Sequence, residues 1–440
     1  DVIHKYKGLQ GDFIWEMWDH GLDQTLPDGT KRSAYGGNYG EKKHDGNFVC
    51  DGMFFPDRTP KPAMQEFKYL AAPVFIKKKG AKYEVFNKHF FIDLSGYKLR
   101  YEVTVDGLPK ASGNLKLPAV KPRKAALISI PATALKVDGA GERFLNISLI
   151  DKSGNEVAWE QFALKAATAP KPKIARVVSD GLIGFDLEKI VDKQGNLNLP
   201  EQVVAPQLTL WRAPTDNDAI GTVSHKWNNW GLRDLKCTSS KVTKKGKSAL
   251  VTKTWKTSKG IAIKYNQKIE VIAGQIKVTE TVTLPKQLDD VARVGINFEL
   301  NGALENYEYF GVGPHETVPD RKIGKIHRWS SSVADQATGY IRPQEQGSHV
   351  GVRWFTLTNR TNHGLYFQCD KPLMVTATPY RSSDLADSTH NVFVPKSGNT
   401  VVTIDAAHRG VGTASCGPDT LSKYIVKPGT YAWSWNVVSF

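Results

Sequence analysis

The chain has 440 residues, 40% hydrophobic and 23% charged, the balance of a globular protein with two or three domains. Its apolar runs, such as "NVVSF" and "YLAAPVF", are far too short to span a bilayer. A net charge of +15 raises nucleic acid as a partner, but the lysines are diffuse and no zinc-finger or RNA-recognition pattern accompanies them, so neither a nucleic-acid nor a membrane partner is expected.

In chain order, the first residues read as the tail of a helix. "LQGDFIWEMWDHGL" (9–22) then reads as a buried strand ending in an aromatic and acidic mouth, with Trp15 and Trp18 beside Glu16 and Asp19. A long Gly-rich segment (25–60) follows, and "KPAMQEFKYLAAP" is a helix introduced by Pro60 and Pro62. Strand, loop and helix make one βα unit over residues 1–70. From 71 the texture changes to short alternating strands such as "KYEVFNKHFF" and "YKLRYEVTVDG", stopped by Gly, Asp and Asn turns; residues 71–168 are expected to form an immunoglobulin-like β-sandwich. "AATAPKPKIA" (166–175) reads as a linker, and residues 175–440 as a larger two-sheet antiparallel domain. "FIKKKGAKY" and "KVTKKGKSAL" read as hairpin turns with lysine-guarded edges.

Cys50, Cys237, Cys369 and Cys416 have neither disulfide-scaffold nor zinc spacing and are expected to be small buried residues. The chain opens on Asp1 without a signal pattern, so a clipped or processed start is expected, and no compartment can be read from it.

Five stretches are candidates for chemistry. Trp15 and Trp18 offer sugar-stacking faces beside two carboxylates in 9–22. In "YGGNYGEKKHDGNFVCDGMFFPDRTPKP" (35–62), Asp45, Asp51 and nearby carbonyls offer oxygen ligands to a hard cation. "LWRAPTDNDAIG" (210–221) lacks the remaining ligands of a calcium loop and reads as an Arg–Asp network. "YFGVGPHETVPDRK" (309–322) carries an Asp320–Arg321 pair, and "HRGVGTASCGPD" (408–419) carries His408 and Cys416, a weak candidate for a Cys–His hydrolase.

In this order, these stretches resemble the C-terminal half of the large β-galactosidases of glycoside hydrolase family 2, the LacZ type, over essentially the whole chain. The resemblance implies a mainly β fold: the last βα unit of a (β/α)8 barrel, an immunoglobulin-like sandwich, then a large antiparallel β-sandwich domain. It implies that Trp15 lines the galactosyl subsite, that the Phe48 carbonyl binds sodium while its ring gates the sugar hydroxymethyl, and that Asp51 is a further sodium ligand where many members have Asn. His44 stands where some members have an Asn near magnesium, which puts that secondary site in doubt. Cys416 falls where some members carry a tryptophan that reaches the aglycone, so it is carried over as a substrate-side residue with weakened stacking.

Retaining glycosidases need two carboxylates about 5–5.5 Å apart. In the family these glutamates lie in "E-Y-x-H" and "N-E" motifs on barrel strands, and neither motif is in the barrel segment of this chain, residues 1–70, so no catalytic residue is assigned. The resemblance places the magnesium ligands, too, in an upstream part, and implies a homo-oligomer when whole. The chain alone is expected to be inert; a clipped piece is favoured over a split subunit because it begins inside a barrel. The alternative is a stand-alone carbohydrate-binding or scaffold module of β-sandwiches. Galactose binding without involvement of Trp15 is the mark of that module.

Overall fold

The structure is a computed structural model that describes residues 2–6, 8–137, 141–165, 185–272 and 274–440. The linker expected over 166–175 lies outside the described residues. Among the described residues no helix is long and apolar enough to cross a membrane.

A single helical turn, Val2–Lys5, opens the chain. Residues 9–21 do not form the expected buried strand. They make one parallel bridge, Trp18 to Phe54, through Asp19 N to Phe54 O and Phe54 N to Met17 O, each 2.9 Å. Phe13 is fully exposed and Trp15 is 81% exposed. An apolar run becomes a buried strand only where neighbours pair its backbone and cover its faces. Here the segment has a neighbour along 52–54 and, among the described residues, no second one.

A hairpin follows, β1 (Leu22–Thr25) with β2 (Lys31–Ala34), turned by Asp28 and Gly29. The Gly-rich loop leads to the helix Ala63–Leu70, which has Pro62 at its N-cap and Glu66 in its first turn.

Seven strands come next: β3 (Val74–Lys79), β4 (Lys82–Asn87), β5 (Lys98–Val105), β6 (Leu108–Leu115), β7 (Ala125–Ile128), β8 (Arg143–Ile150) and β9 (Glu156–Lys165). They form a two-sheet sandwich, β3-β4-β7 over β6-β5-β8-β9. Val85, Leu99, Val103 and Leu145 are fully buried between the sheets. The outer face of β8 is covered too. Its Phe144 packs with Phe310, Trp354 and Tyr366 of the large domain, and Arg353 clamps Glu142 through two 2.7 Å bonds.

The large domain has twelve strands. The first six are β10 (Gln202–Thr209), β11 (Lys236–Lys245), β12 (Ser248–Lys256), β13 (Ala262–Ile272), β14 (Gln275–Leu284) and β15 (Arg293–Asn301). The others are β16 (Asn306–Gly313), β17 (Lys325–Ser332), β18 (Ser348–Thr358), β19 (Gly364–Thr378), β20 (Asn399–His408) and β21 (Gly429–Ser439). Their ladder is unbroken: β10-β15-β20-β19-β21-β14-β13-β12-β11, with β18 added to β19, β16 to β18 and β17 to β16. The sheet curls so that its inner face closes on one core, in which Trp433, Trp435, Phe298 and Phe367 are buried. β14 alternates strictly, and its inward residues are Ile276, Val278, Glu280, Val282 and Leu284. The last strand, β21, is central, paired with β14 on one side (Ile276 opposite Val437) and β19 on the other. β11 is one edge strand of this sheet, exposed and rich in lysine.

The cysteines depart from expectation. Cys369 is buried, Cys50 half-buried, and Cys237 and Cys416 exposed. Cys237 lies on the edge strand and Cys416 in a loop, so neither position has a core to enter.

Candidate functional site

A cleft of about 950 Å³ opens where the barrel-like segment meets the large domain. Trp15, Phe48 and Asp51 line it from the first; Asp216, Asp320 and Cys416 line it from the second. These six, scattered over the whole chain, thus share one cavity, whereas Trp18 and Asp45 do not line it.

The barrel-side wall is held by a buried carboxylate. Asp19 accepts from Lys61 Nζ at 2.6 Å and from the Gly52 amide at 2.8 Å, and Lys61 also donates to the Cys50 carbonyl at 2.9 Å. Burial pushes the Asp19 carboxyl upward, and Lys61 opposes that. Glu16 is raised as well, by loss of solvent and by Asp51, and meets His20 at 3.0 Å. Glu16 and Asp19 therefore brace the wall, while Trp15 stands clear of it with its ring free. Gly52 is where the two segments of this wall touch, and a Cβ there would collide with the backbone of Trp18 and Asp19. Gly52→Ala is expected to cost about 1–3 kcal/mol locally. Amide exchange should accelerate over residues 16–20 and 50–54, and the large sheet should keep its protection.

The oxygens needed for a cation are present. Asp51 Oδ1 is buried without a hydrogen-bond partner, and Phe48, in a short 3₁₀ turn spanning Gly46–Val49, lines the same cavity. A carboxylate and a main-chain carbonyl are donors a hard monovalent cation accepts, so the residues fit sodium. Among the described residues no three His, Cys, Asp or Glu side chains gather as a metal cluster. His44 is committed to its own loop: Nδ1 accepts from the Gly46 amide at 3.1 Å and the ring fills the space against Gly37.

The opposite wall grows from "TDND". Thr215 and Asp218 close a capping box on the helix Asp216–Ile220. Asp218 is fully buried and paired with Arg212 through bonds of 2.8 and 3.0 Å, the expected Arg–Asp network. Arg212 further donates to the carbonyls of Arg409 (2.7 Å) and Gly410 (3.1 Å), fixing the start of the Cys416 loop. Asp320 and Arg321 part company. Asp320 accepts from the amides of Val411 (2.9 Å) and Gly412 (2.8 Å) and from Thr420 Oγ1 (3.0 Å), whereas Arg321 binds Glu316 at 2.5 Å. No Cys–His dyad forms, because His408 is buried with Nδ1 turned to Arg212 and the Arg409 carbonyl. Burial pushes the His408 imidazole pKa well below its usual range, and the Cys416 thiol faces solvent.

One wall residue, Asn47, escaped the sequence reading, as did the bonds that Asp216 and Asn217 make across the cleft. Asn47 donates to Asp216 Oδ1 at 2.7 Å, and Asn217 bonds the Cys416 loop. The signal was the acidic "TDND" run, which the Arg212 network explains only as far as Asp218.

Three family descriptions match successive parts of the chain. "Glycosyl hydrolases family 2, TIM barrel domain" covers residues 1–76, "Beta-galactosidase, domain 4" 83–165, and "Beta galactosidase small chain" 186–437. Among similar proteins, a beta-galactosidase from Priestia megaterium is 28% identical over 94% of this chain and 43% of its own length. A beta-galactosidase from Kluyveromyces lactis is 27% identical over 99% of this chain and 44% of its own. The chain spans less than half the length of these relatives. With the small-chain match alone covering more than half of its residues, the chain belongs to the LacZ-type β-galactosidases of glycoside hydrolase family 2 and carries their small-chain domain, their domain 4 and the end of their barrel.

Proposed function

We propose that this chain is the C-terminal portion of a retaining β-galactosidase that hydrolyses terminal β-D-galactosides such as lactose. An upstream part of the same enzyme supplies both catalytic glutamates and the magnesium ligands, and the whole enzyme works as a homo-oligomer. Water attacks a galactosyl-enzyme intermediate formed on that upstream part. This chain binds and orients. Trp15 offers its face to the C–H face of the galactosyl ring, Phe48 bounds the hydroxymethyl, and the Cys416 loop bounds the aglycone. The Phe48 carbonyl and Asp51 would hold sodium, which supplies positive charge beside the sugar hydroxyls.

One observation carries this reading: Trp15 and Phe48 from the barrel end and Cys416 from the large domain line a single cleft. The exposed apolar side chains of 9–21 support it, since Phe13, Ile14 and Met17 are left uncovered, as side chains that pack against further barrel strands would be. The purified chain is expected to leave a nitrophenyl β-galactoside intact, and hydrolysis by it alone would refute the reading. Assembled with the upstream part, the enzyme should be active. Trp15→Ala should then lower kcat/KM by about 10- to 100-fold, equivalent to about 1.4–2.7 kcal/mol. Its exposure separates that loss from misfolding.

A further inference from the structure

Two loops face each other across the cleft, from different domains, and one short helix touches both. On the barrel side, Asn47 precedes Phe48 and donates to Asp216 Oδ1 at 2.7 Å. The next residue, Asn217, uses both ends of its amide on the other loop. Its Nδ2 donates to the Gly412 carbonyl at 2.8 Å. Its Oδ1 accepts from the Ser415 amide at 3.0 Å and from Ser415 Oγ at 2.6 Å. Cys416 follows directly. At the far end of the helix, Gly221 lies so close to Ala414 that a Cβ would not fit.

The helix is five residues long, so any shift of it carries Asp216 and Asn217 together. The capping box and the buried Arg212–Asp218 pair tie it to the domain core. The Cys416 loop has two attachments of different kind. Asp320 and Arg212 hold its base at 409–412 and 420. Its tip, 413–418, is hydrogen-bonded outside itself only to Asn217 among the described residues. The remaining tip bonds, Cys416 N to Thr413 O and Thr413 Oγ1 to Pro418 O, are internal. Asn217 therefore sets where the tip sits, and Asp216 sets where the Phe48 loop sits.

We infer that Asp216 and Asn217 are positioning residues that couple the Phe48 loop to the Cys416 loop, so that the galactosyl and aglycone walls of the cleft shift together. The functional meaning of the coupling rests on the β-galactosidase reading above; the coupling itself does not. A displacement at Phe48 passes through Asn47 and Asp216 to the adjacent Asn217 and so to Ser415 and Cys416.

Cys416 is the probe. In the full 440-residue chain carrying Cys237→Ser, it is the exposed thiol that remains. Burial keeps Cys369 unreactive and pushes the Cys50 thiol up to about 12. Asn217→Ala is expected to change the maleimide-labelling rate of Cys416 about fivefold, and Asn47→Ala to change it in the same direction. The double variant should go no further than Asn217→Ala alone. Asn217→Asp keeps the acceptor for Ser415 and should fall between parent and alanine. An Asn47→Ala rate equal to the parent's, or effects of the two alanines that multiply, would overturn the coupling.

In the assembled enzyme both alanine variants should shift the ratio of kcat/KM for lactose to that for a nitrophenyl galactoside, again about fivefold. These substrates share the galactosyl group and differ in the aglycone, so loss of fold lowers both and leaves the ratio unmoved. An unmoved ratio in active variants overturns the substrate role. Coupled labelling in an assembly that cleaves no galactoside leaves the coupling standing and counts against the β-galactosidase reading.

Discussion

Arg212→Ala is expected to destabilise the large domain by about 3–5 kcal/mol, the cost of stripping the partner from a buried ion. Asp218 is fully buried, and its two strong charge-assisted bonds come from Arg212. The nearby Arg409 reaches Asp218 only at 4.0 Å and is already spent on Asp290 at 2.8 Å. Without Arg212, the carboxylate keeps the Thr215 amide at 2.9 Å and no neutralising charge of its own. The carbonyls of Arg409 and Gly410 lose a donor in the same stroke. Urea unfolding read by tryptophan fluorescence reports the change, because Arg212 stacks 5.6 Å over Trp227. A paired replacement, Arg212→Met with Asp218→Leu, removes both charges and should recover much of the loss. Equal stability of Arg212→Ala and the parent would show that the pair is not what braces this wall.

Glu280→Gln is expected to stabilise the chain above neutral pH and to change little in acid. Glu280 sits in the inward column of β14, between Val278 and Val282. Burial pushes its carboxyl from the ordinary 4.5 up to about 7, against opposing bonds from Tyr265, Gln267 and Trp435 and the charge of Lys253. Below 4.5 both folded and unfolded chains hold the proton, and the site adds no pH dependence. Between 4.5 and 7 the unfolded chain releases it while the folded chain keeps it, so stability falls as pH rises. Above 7 the loss is complete, at about 3 kcal/mol. Glutamine keeps the geometry. Its oxygen accepts from Gln267 and Trp435, and its amide donates to the Tyr265 oxygen that now lies 2.6 Å from Oε2. Denaturation midpoints at about pH 5 and about pH 8 test this, and the parent should lose more stability between them than the variant, in which Asp405 still titrates near 7. A parallel decline in both proteins would place the titrating group elsewhere.

What could be read from the sequence was the local chemistry. The turns in "KKKGAKY", "VDGL" and "KKGKS" need left-handed residues, and Gly80, Asp106, Gly107 and Gly246 supply them. Period-2 alternation likewise marked β14 inward and outward. The stretch at 9–22 misled because an apolar run states a demand for burial and not its fulfilment. Whether Phe13 and Trp15 are covered depends on strands beyond this chain's own contacts. The cysteines misled for the converse reason: a small apolar residue fits a core but does not require one. The site divided along the same line. Trp15, Phe48, Asp51 and Cys416 came from resemblance motif by motif, and they do line one cleft. Asn47 and Asp216, 169 residues apart, have no local pattern that announces their bond.

The central place of β21 bears on how the chain comes to be made. Strands that flank it, β14 and β19, exist long before Gly429–Ser439 leaves the ribosome. Until then the sheet consists of two unjoined flaps, each showing an open edge and an uncovered apolar face. β21 must leave the ribosome before Trp433 and Trp435 can seal the core. The interval before that seal is when a nascent chain most needs a chaperone, and a premature stop within the last strand would leave the flaps permanently apart.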